Sequence, residues 1–341
     1  MYHAWAAFFT TARSRMFQRP RFLPDNFTLA LIATVAVASL LPSTPASMAA
    51  VDSAASLGVA LLFFLHGAKL PRQAILAGLG HWRLHLTILC CTFVMFPLLG
   101  LALQPLLAPL VTPELYLGVL FLCVLPSTVQ SSIAFTSLAR GNVPAAICSA
   151  SASNLAGIFL TPLLAAAVLS SAQNGGMAPL DAALRIVVQL LLPFAVGQAA
   201  RRWIGAWIDR HKSWLRPIDQ GVILLVVYSA FSEAMAEGLF GKLSGQALAG
   251  LLFISALLLA LAMGLSAFAS RRFGFGREDE IAIVFCGSKK SLASGIPMAK
   301  VLFAGQAMGA IVLPLMLFHQ IQLMACALLA HRYASRKAAP G

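Results

Sequence analysis

The stretch FCGSKKSLASGIP, Phe285–Pro297, decides how this chain must fold. The flanking IAIV and MAKVLFA are apolar enough to continue as one membrane-crossing helix. Between them stand two adjacent lysines, Lys289 and Lys290, with Ser288, Ser291, Ser294, Gly287, Gly295 and Pro297. A lysine at the bilayer centre costs about 2.5–3.5 kcal/mol on insertion scales, so a lipid-facing position is untenable. Snorkelling from mid-span is a poor escape. The stretch must be buried in protein or line a wet cavity, and Gly287, Gly295 and Pro297 are expected to interrupt the helix there.

The rest of the chain agrees with a membrane setting. Of 341 residues, 60% are hydrophobic and only 10% are charged. Soluble domains carry about 25% charged residues, which excludes a water-soluble fold. The formal net charge of +13 does not point to nucleic acid, because the basic residues lie in short clusters between apolar runs. The six cysteines all fall inside apolar runs with no CxxC pair and no histidine at metal-ligand spacing, so they read as small buried hydrophobes. No HExxH, GxSxG, carboxylate pair or phosphate loop is present, and no enzyme is expected.

Apolar runs long enough for a span, about 20 residues, number ten: 27–42, 51–69, 84–104, 115–139, 143–169, 181–200, 218–236, 246–269, 280–303 and 307–330. Basic residues test the count. Arg13, Arg15, Arg19 and Arg21 precede the first run; Lys69, Arg72 and Arg83 flank the second gap, and Arg140 the fourth. Arg201, Arg202, Arg210, Lys212 and Arg216 fill the sixth gap, Arg271, Arg272 and Arg277 the eighth, and Arg332, Arg336 and Lys337 the tail. The other side holds only Lys242 and Lys300. That asymmetry places both termini in the cytoplasm. The expected organisation is a cytoplasmic lead-in 1–24, a first five-span half 25–170, a second half 171–331 and a cytoplasmic tail 332–341. Because five is odd, the halves enter the membrane with opposite orientation, the inverted-repeat layout of many secondary transporters.

Spans four and nine hold corresponding places in the two halves, and both are broken. Span four contains LPSTVQSS, in which Pro126 removes an N–H and is followed by Ser127, Thr128, Gln130, Ser131 and Ser132. Interrupted spans at matching positions are the best sequence pointer to a transporter's midplane site. Span five adds Ser149 and Ser153, which share a helix face, and Asn154 beside it. The candidate substrate- and ion-binding residues are therefore Thr128, Gln130, Ser131, Ser132, Ser149, Ser153, Asn154, Ser288, Lys289, Lys290 and Ser291. His66, His319, Gln104, Gln189, Gln198, Gln320 and Gln322 read as interhelical hydrogen-bonders. No acidic residue occupies the middle of any span.

The chain resembles the bile acid:sodium symporter family, in its SBF-like branch, from about Arg21 to His331. The resemblance rests on RFLPDNFTLAL, LLFFLHGAKL, LPSTVQSSIAFTSLARGNVPAAICSASASN and FCGSKKSLASGIPMAK. It implies an all-α fold of ten helices in two inverted five-helix repeats. Helices four and nine would unwind and cross in a core domain beside a panel of helices one, two, six and seven. It also implies transport of a small organic anion with sodium as coupling ion. The family's sodium ligands, however, fall at Ser132 and Ile133 (or Ser131 and Ser132), at Ala146 and Ala150, and at Val284 or Phe285 and Ser288 or Lys289. Sodium, if bound, would lie near Ser131, Ser132, Ser149 and Ser288. The family's acidic ligand is absent and an ammonium stands near its place, where it repels Na⁺. The expectation is a transporter of this fold in which a cavity-facing lysine, Lys289 first, mimics a bound cation or binds the anionic substrate. Proton-coupled or ion-independent carriage, or a non-transporting sensor of the same fold, are the alternatives. The partners expected are the lipid bilayer and the anion, with no nucleic acid and no cofactor, in a bacterial inner membrane.

Overall fold

The computed structural model describes residues 26–69, 81–172, 179–236, 238, 243–303 and 308–335. The expected lead-in 1–24, the link 173–178 between the halves, Arg72, Lys242, and Arg336 and Lys337 of the tail lie outside these. Twelve helices carry the argument: α1 Asn26–Leu40, α2 Pro45–Lys69, α3 Trp82–Ala102, α4 Pro113–Val124, α5 Gln130–Leu138 and α6 Val143–Ala172. They continue as α7 Pro179–Arg210, α8 Lys212–Ala236, α9 Gly245–Arg272, α10 Arg277–Gly287, α11 Leu292–Leu302 and α12 Met308–Ser335. Each apolar run inferred from the sequence coincides with one helix or, for runs four and nine, with a pair.

The chain is an all-helical, multi-pass membrane protein. Among the described residues, six segments are long and apolar enough to cross a bilayer: Ala46–Lys69, Trp82–Ala102, Val143–Val168, Pro217–Ala236, Gly245–Arg272 and Met308–Ser335. Helices α1 and α4 are shorter apolar helices. Exposed Leu29, Ile32, Leu61, Leu98, Phe253 and Phe268 would be a liability in water and are the expected surface toward lipid.

Two packing groups are evident. Helices α1, α2, α7 and α8 pack on one another, and α3, α4, α5, α6, α9, α10 and α12 form the second group. The α2–α7 contact is set by glycine. A Cβ at Gly197 would land on the Phe64 carbonyl and one at Gly67 on the Phe194 carbonyl, so the two backbones touch where side chains would keep them apart. The groups meet where α6 packs on α7, where α8 packs on α12, and along α11, which packs on α12 and also on α2, α7 and α8.

The two breaks have local causes. Helix α4 ends at Val124, and Leu125 is extended (φ −75°, ψ 153°), the conformation forced on a residue that precedes proline. Helix α10 ends at Gly287, and α11 restarts at Leu292 with Ser291 as N-cap, its Oγ accepting from Ser294 N at 3.2 Å. The expectation that Gly295 and Pro297 interrupt this span is corrected, because α11 runs through both. Pro297 frees only the carbonyl of Ala293, an exposed residue in the first turn. Gly295 serves close approach, since a Cβ there would meet Leu125 at 2.5 Å and Leu315 at 2.6 Å. The break is the four residues Ser288–Ser291.

Candidate functional site

A broken helix leaves carbonyls without partners at its C-terminal end and N–H groups without partners at the next N-terminus. In hydrocarbon each such group costs several kcal/mol, so the partners should be found close by. At the end of α4, Val124 O accepts from Thr161 Oγ1 (2.8 Å), Pro126 O from Ser291 N (2.8 Å) and Ser127 O from Asn154 Nδ2 (2.6 Å). Cys123 O and Leu125 O accept from Lys290 Nζ, both at 2.8 Å. At the end of α10, Cys286 O accepts from Ser127 Oγ (2.6 Å), Phe285 O from Ser132 Oγ (3.0 Å) and Val284 O from Ser288 Oγ (2.6 Å). The two breaks therefore satisfy each other: hydroxyls after the first cap carbonyls of the second, and a lysine from the second caps carbonyls of the first.

Lys290 is the centre of this arrangement. Its side chain is fully buried, and its three ammonium protons meet three carbonyls, the third being Thr92 O at 2.7 Å. Thr92 lies in a π-helical turn of α3, Cys91–Met95, a wider coil that interrupts the regular i to i−4 ladder. The Phe96 ring centroid lies 4.1 Å from the same nitrogen and adds its negative face. The backbone of Lys290 is held as firmly: its N–H donates to Gln322 Oε1 and its C=O accepts from Gln322 Nε2, both at 3.0 Å. Gln322 thus acts as the interhelical hydrogen-bonder its sequence position suggested.

Lys289 has a different environment. It is also fully buried, yet its Nζ has no hydrogen-bond acceptor among the described residues. It sits 4.0 Å from the Phe135 ring centroid and 5.7 Å from that of Phe285, so aromatic faces are what stabilise its charge. Adjacent residues on one backbone point in different directions, and here one faces oxygens and the other rings.

The other candidates divide. Ser127, Ser153, Asn154 and, through Ser294, Ser291 form one connected network, with Ser153 Oγ accepting from Ser127 N at 3.1 Å and Asn154 Oδ1 from Ser294 Oγ at 2.8 Å, while Ser132 and Lys290 cap carbonyls beside it. Thr128 Oγ1 lies 2.7 Å from Ser131 Oγ and 3.2 Å from Ser132 Oγ, while Gln130 stands exposed at the start of α5. Ser149 turns instead to α3, 2.6 Å from His85 Nδ1, and Ser288 bonds back within its own helix. The bonds that hold the crossing involve hydroxyls, amides, carbonyls and one ammonium, with no carboxylate among them. Among the described residues there is no group of three His, Cys, Asp or Glu able to hold a metal ion. Thr92 and Thr161 were missed by sequence reasoning; Thr92 contributes a main-chain oxygen, which no side-chain pattern records.

Two broken helices cross inside a multi-pass helical bundle, and the family match makes this a membrane transport protein and not an enzyme. The chain belongs to the SBF-like CPA transporter family, whose model matches residues 25–335. It is 64% identical over 319 residues to "Uncharacterized protein PA2026" of Pseudomonas aeruginosa, covering 94% of this chain and 96% of that protein. It is 53% identical over 309 residues to "Putative symporter YfeH" of Escherichia coli, covering 91% and 92%. It is 28% identical over 316 residues to "Sodium/bile acid cotransporter 7" of Rattus norvegicus, again covering 91% and 92%.

Proposed function

We propose that this protein is a secondary transporter of a small organic anion, working by alternating access, in which a built-in ammonium takes the place of a coupling sodium ion. The observation that carries the reading is Lys290 Nζ, held by three main-chain carbonyls at 2.7–2.8 Å in a fully buried site. Converging neutral oxygens around one positive charge are what a small cation seeks, and here a tethered cation already fills them. A Na⁺ ion brought to the same oxygens would meet Lys290 at contact distance and be repelled.

The two helical halves are read as inverted five-span repeats with both termini in the cytoplasm of a bacterial cell. The group α1, α2, α7 and α8 serves as the panel, and the other helices as the core that moves against it. Support comes from the packing groups, from the matching positions of the two breaks, and from the bacterial relatives. The accessible polar residues beside the crossing, Gln130, Ser131 and Asn154, would meet substrate. A cavity of about 450 Å³ between α6 and α7, lined by Phe159, Leu191, Phe194, Ala195, Gln198 and Ala199, offers room for an apolar body.

The test uses purified protein in liposomes and a radiolabelled bile salt, cholate, with an equal gradient of NaCl or choline chloride. Saturable uptake that is equal in both salts is the expected result. Uptake or thermal stability that requires Na⁺, and keeps that requirement in Lys290→Ala, would refute cation replacement.

A further inference from the structure

At the membrane face that carries the basic clusters, the charged ties among the described residues lie within one packing group or the other. Lys69 binds Asp219 at 2.5 Å and Arg201 donates to Ala68 O, joining α2, α7 and α8. Arg271 binds Glu280 at 2.8 Å, Tyr333 Oη donates to Glu280 at 2.9 Å, and Asn142 donates to Asp279 at 2.8 Å, joining helices of the second group. At the opposite face, one ion pair among the described residues ties the bridging helix α11 to the first group: Lys300 of α11 binds Asp52 of α2. Ser229 of α8 completes a triangle, 3.4 Å from Asp52 Oδ1 and 3.5 Å from Lys300 Nζ. The lysine side chain is 9% exposed and the carboxylate 49%. A neutral bond from Gln320 to Thr28 at 3.3 Å also joins the groups, midway along α12.

Coverage of the two half-helices after the breaks follows the same asymmetry. Helix α11 is buried along most of its length against α2, α7, α8 and α12. Helix α5, its counterpart in the first half, keeps Gln130, Ala134 and Ser137 exposed along one face.

We propose that Lys300, Asp52 and Ser229 form the gate that holds the outer mouth shut, and that the structure is the state open toward the basic face. The proposal rests on the alternating-access reading above. Opening outward requires α11 to leave α2 and α8, so this ion pair must break once in every cycle.

The experiment is hydrogen–deuterium exchange on the full chain in lipid nanodiscs, which needs no substrate. Asp52→Asn and Lys300→Gln are each expected to speed exchange at the outer ends of α2, α8 and α11 by about two- to fivefold, the factor expected for an ion pair with one exposed partner. The basic face around Arg271 and Glu280 should not change. The charge swap Asp52→Lys with Lys300→Asp should return exchange toward wild type. Raising KCl from about 0.05 M to about 1 M, which shortens the screening length from over 10 Å to about 3 Å, should reproduce the effect in the unaltered protein. Unchanged exchange in both single variants and in high salt would overturn the gate, as would a uniform rise across all helices. Failure of cholate uptake with local exchange as expected would count against the transport reading and leave the gate standing.

Discussion

Replacing Lys290 with methionine isolates the contribution of its ammonium, because methionine matches the stem in length and carries no donor. The change leaves Thr92 O, Cys123 O and Leu125 O without partners in a site closed to water. A buried polar group stripped of its partner costs about 1–3 kcal/mol, so three carbonyls amount to roughly 3–9 kcal/mol. Against this stands the relief of no longer burying an ammonium, worth several kcal/mol. Neighbouring Val124 O and Pro126 O keep their own donors, Thr161 and Ser291, so the break is not stripped entirely. A net loss of about 2–5 kcal/mol follows from the difference between the two terms. At roughly 2–4 °C per kcal/mol for a chain of this order of size, the midpoint of thermal unfolding should fall by about 4–20 °C. The assay is intrinsic tryptophan fluorescence during heating of purified protein in detergent. Lys290→Ala, which leaves a void lined by the same carbonyls, should recover part of the loss in NaCl relative to choline chloride. A Lys290→Met protein that melts with the wild type would refute the assignment of Lys290 as the cap of the broken helix.

Lys289→Met should behave in the opposite way. It removes a buried charge that has no oxygen partner among the described residues, so its melting temperature should equal or exceed that of the wild type, while cholate uptake falls through loss of the positive field. Ser127→Ala frees Cys286 O in a buried site and should cost about 1–3 kcal/mol, read as a lower melting temperature. Ser149→Ala, whose hydroxyl faces His85 and not the crossing, should leave cholate uptake within about twofold of wild type, since lost hydrogen bonds are worth about 0.5–1.5 kcal/mol each and this one lies outside the network. Gly197→Ala forces a methyl group onto the Phe64 carbonyl and should destabilise the α2–α7 contact by about 1–3 kcal/mol or more, measured by the same heating experiment.

The broken spans were legible because proline and clustered hydroxyls leave a mark in the sequence that hydrocarbon makes expensive. Pro126 was read correctly, since its effect on Leu125 is local. Gly295 and Pro297 were misread, because a glycine that breaks a helix and a glycine that admits a neighbouring Leu125 look identical in one dimension. That lysines could not face lipid was also plain; that Lys290 meets oxygens while Lys289 meets rings was not. The acceptors of Lys290 are main-chain carbonyls, which every residue carries, and the choice of Cys123, Leu125 and Thr92 depends on two helices ending and a third widening in one place. Lys300 and Asp52, 248 positions apart, likewise become partners only through packing. Asp52 lies at the end of an apolar run, which the sequence shows and which says nothing of what it binds.

A cation tethered to the chain differs from one taken from solution in a single respect that matters for work. Both neutralise the carbonyl ends of a broken helix and allow it to persist in the membrane. Only the free ion can be released on the far side and so convert its own gradient into motion of the substrate. On the proposed reading, Lys290 keeps the structural half of a sodium ion's contribution and gives up the energetic half. The crossing is then complete in every state of the cycle, with or without ions present. The direction of net transport would be set by the anion's own gradient and the membrane potential, because no step would require Na⁺ to arrive or depart. The balance between inner-open and outer-open states must then be fixed by contacts within the protein. The Lys300–Asp52 pair is suited to that role, since it joins the two packing groups at one mouth and has no charged counterpart at the other among the described residues.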